Sequence, residues 1–241
     1  MISVEKLLFT GGSGLLGTEV KELIPSAYFP THKEFDVTDY NKMSEYLKEK
    51  EIDTVVHAAA FTSPPLIDKN PLEAINTNII GTSNLVKLCS EKELKLVYIS
   101  TDYVFKGDKG NYKEEDNLNP VNKYAWSKLG GECAVKMHNN SLIIRTSFGP
   151  TEFPFEKAFI DQWTSRESVS EIAKKIVKVL NENIWGTIHL GGNRRTVFEY
   201  AKELGSSKEI GELSINDVSF NVPIDTSLDC KKYSELMGDK E

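Results

Sequence analysis

Cysteine is scarce in this chain of 241 residues: Cys89, Cys133 and Cys230 form an odd, widely spaced set with no Cys-x-x-Cys pair. That spacing argues for three reduced thiols and against a disulfide framework or a thiolate zinc site. Histidine is as sparse, and His32, His57, His138 and His189 are scattered, so no metal site is expected. No apolar run is long enough to span a bilayer, and no charged-then-apolar signal opens the sequence. A cytoplasmic location is the expectation that follows. Positive charge is in deficit as well, with 29 Lys+Arg against 36 Asp+Glu and a net charge of −7. Such a chain has no global attraction to nucleic acid or to an anionic membrane. An anionic ligand would need a local site, such as a helix N-terminus or a few placed Lys and Arg. Internal repeats and low-complexity tracts are absent too. What remains is a globular composition, 39% hydrophobic and 27% charged, enough for one sizeable core and a small annex.

The first half alternates short apolar runs with longer amphipathic ones. Strands are predicted at Lys6–Thr10, Ala27–Pro30, Thr54–His57, Leu96–Ser100 and Leu142–Arg145. Helices are predicted at Leu15–Leu23, at Asp39–Lys50 behind a Thr38 or Asp39 cap, at Pro71–Glu91 and at Tyr124–His138. Fully apolar strands alternating with helices imply an α/β fold, a doubly wound parallel sheet of Rossmann type. Beyond about residue 150 the pattern loosens. Ser168–Glu171 and Thr196–Glu199 match the capping-box pattern, and Gly186–Leu190 reads as a strand between them. Residues 1–150 are therefore expected to form the dinucleotide-binding domain. Residues 151–241 are expected to form a small substrate-side lobe, some of whose segments return to the core.

Ligands of such sheets sit beyond the carboxyl ends of the strands. Thr10, His57 and Ser100 end three of them. The first runs into Gly11-x-x-Gly14-x-x-Gly17, whose glycines permit a tight turn, backbone approach to a pyrophosphate, and close packing of the following helix. A P-loop is disfavoured because no Gly-Lys-Ser/Thr follows. The second predicted strand ends at His32-Lys33 with no acidic residue for a ribose hydroxyl. That favours NADP, with NAD kept open.

Tyr-x-x-x-Lys occurs twice, as Tyr46/Lys50 and Tyr124/Lys128. Hydride-transfer chemistry also needs a hydroxyl donor at a strand end, opposite the tyrosine. Thr101 supplies one 23 residues before Tyr124, whereas the same offset before Tyr46 lands on Leu23, inside a helix. Tyr46 is therefore read as a packing residue. A phenol titrates at about pH 10. An ammonium at ~4 Å is expected to favour phenolate by up to about 4 kcal/mol at an effective dielectric of ~20, bringing Tyr124 near neutrality.

With Gly11-x-x-Gly14-x-x-Gly17, His57-Ala-Ala-Ala-Phe-Thr62, Asn78-Ile-Ile-Gly-Thr82, Ser100-Thr-Asp-Tyr-Val-Phe105, Tyr124-x-x-x-Lys128 and Arg145-Thr-Ser-Phe148 in order, the chain resembles the extended short-chain dehydrogenases. Among them it is most similar to the dTDP-4-dehydrorhamnose reductase family, over about residues 5–205. The resemblance implies NAD(P)H-dependent reduction of the keto group of a nucleotide-activated deoxysugar, with Thr101, Tyr124 and Lys128 as catalytic groups. It implies that Ser13 and the backbone of Leu15 and Leu16, with the three glycines, meet the pyrophosphate. Asp36 and Val37 would lie at the adenine, while Ala59, Ala60 and Phe61 would line the cofactor. Asn78 would order the active-site helix. Thr101, Asp102 and Phe148 would face the sugar, and Lys128 would bridge ribose and Tyr124. Related dehydratases carry Thr-Asp-Glu where this chain has Thr101-Asp102-Tyr103, which favours reduction over water elimination. The segment from Phe148 to Asp161-Gln162 is shorter than is usual in the family. An epimerase on the same scaffold and a non-catalytic, dinucleotide-binding regulatory subunit are the alternatives. A nucleotide-sugar partner and a homodimer are implied.

Overall fold

In a computed structural model, which describes residues 3–205, 209–218 and 222–238, five parallel strands form the central sheet. Along the chain come β1 (Leu7–Thr10), α1 (Leu15–Leu23), α2 (Tyr40–Lys48), β2 (Thr54–His57), α3 (Pro64–Lys69) and α4 (Leu72–Ala74). A π-helical stretch, Ile75–Gly81, leads into α5 (Thr82–Glu91), β3 (Lys95–Thr101), α6 (Lys123–Val135) and β4 (Ser141–Thr146). Then follow β5 (Phe148–Gly149), β6 (Lys157–Phe159), β7 (Trp163–Thr164), β8 (Glu167–Ser168), α7 (Val169–Leu180) and β9 (Gly186–Leu190). The chain continues through β10 (Arg195–Thr196), α8 (Val197–Glu203), β11 (Gly211–Leu213) and α9 (Lys231–Met237).

The sheet order is β1-β2-β3-β4-β9. Every position of β1 to β4 is buried, as expected of a parallel sheet covered on both faces. Alternate side chains sort into two cores. Phe9, Val56, Ile99 and Ile144 join Leu16 and Val20 of α1, Ile172 and Ile176 of α7 and Tyr233 of α9. Leu8, Val55, Tyr98 and Ile143 join Met43 of α2, Leu85 and Leu88 of α5 and Val135 of α6. This is the doubly wound arrangement the alternation predicted.

Two elements differ from the sequence expectation, and a third takes a place that the expectation left open. Ala27–Pro30 is not a strand; a single bridge joins Tyr28 to Leu8, with Phe9 N–H to Tyr28 O and Tyr28 N–H to Leu7 O, both 2.8 Å. Pro25 and Pro30 flank the segment and lack the N–H groups that would extend a ladder. The predicted helix Pro71–Glu91 widens to π geometry over Ile75–Gly81, where the Asn78 side chain turns inward. Gly186–Leu190 lies in register beside Leu142–Thr146 as the edge strand of the main sheet, and α7 packs on the α1 face. Segments from beyond residue 150 thus return to the core. The rest of that region has a small core of its own around Phe153, Ala158, Val197, Tyr200 and Ala201.

The capping signals place these helices. Asp39, not Thr38, caps α2 by accepting from Lys42 N–H at 3.1 Å. Thr196 and Glu199 form a reciprocal capping box at α8, and Ser168 accepts from Glu171 N–H at α7. Asn122 accepts from Ala125 N–H at 2.8 Å, which starts α6 so that Tyr124 stands in its first turn. Among the described residues no helix is long and apolar enough to cross a membrane, and no group of three His, Cys, Asp or Glu could hold a metal ion.

Candidate active site

The turn after β1 is built around glycines that could be nothing else. Gly11 has φ +77°, and a Cβ there would stand 2.9 Å from Ala59 N. A Cβ on Gly17 would stand 2.3 Å from Gly11 O and 2.6 Å from Gly12 Cα. Gly14 differs: its Cβ would meet one protein atom, Gly11 O at 3.3 Å. The turn is therefore filled by its own backbone beneath and open above, as the approach of a pyrophosphate requires. Gly14 caps α1 without a side chain, and Ser13 and Leu15 are exposed beside it while Leu16 anchors the core. The first-turn N–H groups of Leu15, Leu16 and Gly17 have no acceptor within the helix.

Substitution separates the two jobs. Gly17→Ala forces backbone apart and should cost about 1–3 kcal/mol, lowering Tm by roughly 2–10 °C. Gly14→Ala should leave Tm nearly unchanged yet weaken dinucleotide binding at least ~10-fold, because its methyl group occupies the approach path. Calorimetric titration beside a thermal melt reads both quantities. Equal dinucleotide affinity in Gly14→Ala and the parent would remove the assignment of this turn.

Beneath the turn runs a buried chain of hydrogen bonds. Ala59 N–H donates to Thr10 Oγ1 (3.2 Å), which lies 2.9 Å from His57 Nδ1; His57 Nε2 lies 3.0 Å from Thr82 Oγ1, and Thr82 donates to Asn78 O (2.8 Å). The directions are consistent with a neutral His57 protonated on Nε2. Burial, assisted by the charge of Lys128, pushes that imidazole down to about 3. Asn78 extends the network. Its side chain accepts from Phe61 N–H (2.8 Å) and donates to Phe61 O (2.9 Å) and to Ser127 Oγ (2.8 Å), while Ser127 donates to Tyr124 O (2.7 Å). One asparagine thus ties the loop of Ala59, Ala60 and Phe61 to the helix that carries Tyr124.

The flank expected at the adenine is more mixed. Asp36 is partly exposed and accepts from Thr38 N–H (2.9 Å) and Thr38 Oγ1 (2.7 Å). Val37 is buried, its side chain filling the space above Gly81. His32 stands 3.7 Å from the Asp36 carboxylate, and Lys33 is exposed.

Thr101 ends β3 and Tyr124 opens α6, and the two hydroxyls come within hydrogen-bonding reach of each other. Thr101 Oγ1 donates to Asp102 Oδ1 (3.0 Å). The other Asp102 oxygen accepts from Thr226 Oγ1 at 2.6 Å. Burial raises the Asp102 carboxyl, against the hydrogen bond from Thr226 and the charge of Arg166. In register beside Thr101, on β4, the buried Thr146 hydroxyl has no partner among the described residues.

The expected depression of the Tyr124 phenol is not what this geometry produces. Burial, and then the charge of Asp102, push it above its ordinary value. Lys128 is itself buried and pushed down to about 7, against the pull of Glu132. Its ammonium lies 4.1 Å from the centre of the Tyr98 ring. Desolvation therefore outweighs the lysine–tyrosine attraction. The Tyr124 phenol is thus held in its protonated form.

The other Tyr-x-x-x-Lys match is a surface pair. Lys50 Nζ lies 3.8 Å above the Tyr46 ring, which packs edge-on against Phe35. Phe148 is half-buried, leans on the core of the α1 face and pairs in register with Glu167. Three residues that sequence reasoning passed over also reach this place. They are Ser147 and Gln162, which lay inside motifs already noted, and Arg166. Thr226 is a fourth, and no local signal marks it.

Comparison with known proteins decides the lineage. The family described as the RmlD substrate binding domain matches residues 5–238. The chain belongs to that family. It is 31% identical over 218 residues to the probable low-salt glycan biosynthesis reductase Agl14 of Haloferax volcanii, covering 75% of this chain and 72% of that protein. It is 26% identical over 274 residues to methionine adenosyltransferase 2 subunit beta of Bos taurus, covering 96% of this chain and 82% of that one. Among solved structures, the dTDP-4-dehydrorhamnose reductase of Bacillus anthracis in complex with NADP superposes with a TM-score of 0.87 at 26% identity, covering 98% of this chain and 93% of that chain. The extended short-chain dehydrogenase scaffold expected from the motifs is thus the fold of this family and of this chain.

Proposed function

We propose that this protein reduces the keto group of a nucleotide-activated deoxysugar with NADPH or NADH, in the cytoplasm. The observation that carries the reading is the convergence of the Thr101 and Tyr124 hydroxyls at the strand ends beside an open glycine turn. The turn and the first-turn N–H groups of α1 would hold the dinucleotide pyrophosphate. The Ala59–Phe61 loop, fixed by Thr10 and Asn78, would form the floor. A bound reduced nicotinamide supplies the hydride.

The chain's own residues do the rest. Tyr124 donates a hydrogen bond to the substrate carbonyl oxygen, and Thr101 donates a second once its proton turns from Asp102 to that oxygen. As negative charge develops there, Tyr124 releases its proton to that oxygen, and the ketone becomes an alcohol. Lys128, buried and poised at about 7, holds the ribose and stabilises the phenolate left behind. Thr226 fixes Asp102, which keeps Thr101 aligned. Residue 103 is tyrosine, so the acidic pair used for water elimination is missing.

A second reading has its own support in the 26% identity with an enzyme subunit across 96% of the chain. In that reading the fold holds a dinucleotide without turnover. One experiment separates the two. Purified protein is mixed with NADPH, or with NADH, and a panel of dTDP-4-keto-6-deoxysugars, and absorbance of the reduced nicotinamide is followed. Substrate-dependent oxidation is expected. Firm dinucleotide binding with no oxidation across the panel overturns the reductase reading in favour of the subunit.

A further inference from the structure

Four arginines occur in the chain. Three are held by carboxylates: Arg145 by Glu132 at 2.9 Å, Arg194 by Asp225 at 2.8 Å, and Arg195 by Glu167 and Glu203 at 3.2 and 3.1 Å. Arg166 has no carboxylate within salt-bridge distance among the described residues, although it is half-buried. A partly desolvated guanidinium without a counter-charge is unfavourable by itself. Something other than stability accounts for its placement.

Its position is built rather than accidental. The backbone is pinned on both sides, with Arg166 N–H on Thr164 Oγ1 and Arg166 O accepting from Arg195 Nη2, each at 3.0 Å. The side chain crosses Gly149, where an added Cβ would come 3.7 Å from Arg166 Cδ. Nε then reaches Ser147 Oγ at 3.4 Å. The charge at the tip is felt at Asp102 and Tyr103, the two residues that follow Thr101, and lowers both against their burial. Asp102 accepts from Thr101 and Thr226 and forms no salt bridge with Arg166. The Tyr103 hydroxyl shares a hydrogen bond with this side chain, which sets the guanidinium beside the residues that follow Thr101 with no carboxylate paired to it among the described residues.

We propose that Arg166 is the anion anchor for the diphosphate of the sugar nucleotide, a second phosphate site separate from the glycine turn. This rests on reading the site as that of a sugar-nucleotide reductase. A guanidinium fork matches phosphate oxygens in pairs, which a lysine does not. In a chain of net charge −7, a substrate with two phosphates needs one such local cation. In a 4-keto pyranose the carbonyl and the anomeric carbon lie on opposite sides of the ring. A carbonyl held between Thr101 and Tyr124 therefore sends the diphosphate away from Tyr124, and Arg166 enters from the Ser147 side to meet it.

The test uses the full chain saturated with NADPH and titrated calorimetrically with thymidine diphosphate, uridine diphosphate or inorganic diphosphate. Arg166→Gln should weaken thymidine diphosphate about 10- to 100-fold and raise KM for the keto-sugar nucleotide by a similar factor. Arg166→Lys should recover part of the loss, since it keeps the charge but not the fork. Binding of NADPH itself serves as the check on folding and should stay within about twofold. Unchanged thymidine diphosphate affinity in Arg166→Gln overturns the proposal, and so does an equal loss of NADPH affinity. Inorganic diphosphate binding as tightly as the nucleotides would support the phosphate contact as the dominant one. If the parent shows no hydride transfer yet its diphosphate affinity still depends on Arg166, the reductase reading falls and the anchor stands.

Discussion

Tyr124→Phe should lower turnover by about 10²- to 10⁴-fold while leaving dinucleotide affinity and Tm nearly unchanged. The substitution removes one hydroxyl from a half-buried ring. Placement of the helix does not depend on that hydroxyl, because the clasp runs through Tyr124 O, Ser127 and Asn78. The loss should fall on the proton-transfer step, so it should be seen in single-turnover oxidation of NADPH as well as in kcat. The pH profile adds a signature. Burial and the Asp102 charge keep the phenol protonated well into the alkaline range. The parent should therefore hold its acid form across neutral pH, and a fall on the acid side should not come from Tyr124. Turnover in Tyr124→Phe within a few-fold of the parent would require another acid and would remove Tyr124 from the proton-transfer step.

Lys128→Met should do two opposite things. Activity and dinucleotide affinity should fall steeply, and Tm at pH 7 should rise. The lysine is buried and pushed down to about 7 from an ordinary value of 10.5. Below pH 7 it is charged in both folded and unfolded chains, and the native state carries the full cost of the buried ammonium. Between about 7 and 10.5 the unfolded chain binds a proton that the native chain does not, so stability rises with pH across that window. Methionine has nearly the same shape and no charge to desolvate. Relief on the order of 2 kcal/mol corresponds to about 4–8 °C in a chain of this size. Thermal melts of parent and variant from pH 6 to pH 10 check this. The gap should be widest at the acid end and close as the lysine of the parent loses its proton. A variant that melts with or below the parent at pH 6 removes the buried-ammonium account.

Much of the site was readable because its parts are local. A four-residue strand with three apolar positions, a glycine-spaced turn and an amphipathic helix are consecutive in the chain, and so are the LVYIS segment and the Thr-Asp-Tyr that follows it. The spacing from Thr101 to Tyr124 separated the buried Tyr-x-x-x-Lys beside the end of β3 from the surface pair on α2. What escaped was set by contacts through space. The edge position of β9 depends on a partner strand some forty residues earlier in the chain. The bridge at Tyr28 shows flanking prolines overriding an apolar run. The π-helical turn answers to Asn78, whose partners lie on two other segments. The ionisation of Tyr124 and Lys128 was misjudged because a Coulomb term was weighed without the desolvation that burial adds. Arg166 carries no pattern at all in one dimension; it stands out only when every other guanidinium is seen to have a counter-charge.

The bond from Thr226 to Asp102 joins positions 124 apart. Its neighbours do similar long-range stitching, with Asn111 N–H held by Ser227 Oγ and Trp163 N–H by Ile224 O. Closing so large a loop costs more entropy than pairing the nearer strands, so this segment is expected to seat after them. The acid that steadies Thr101 is thus seated by one of the last pieces of chain to find its place. A molecule with its sheet complete and this segment adrift would have the look of the native protein and a misaligned hydroxyl. Competence here is a property of the finished molecule.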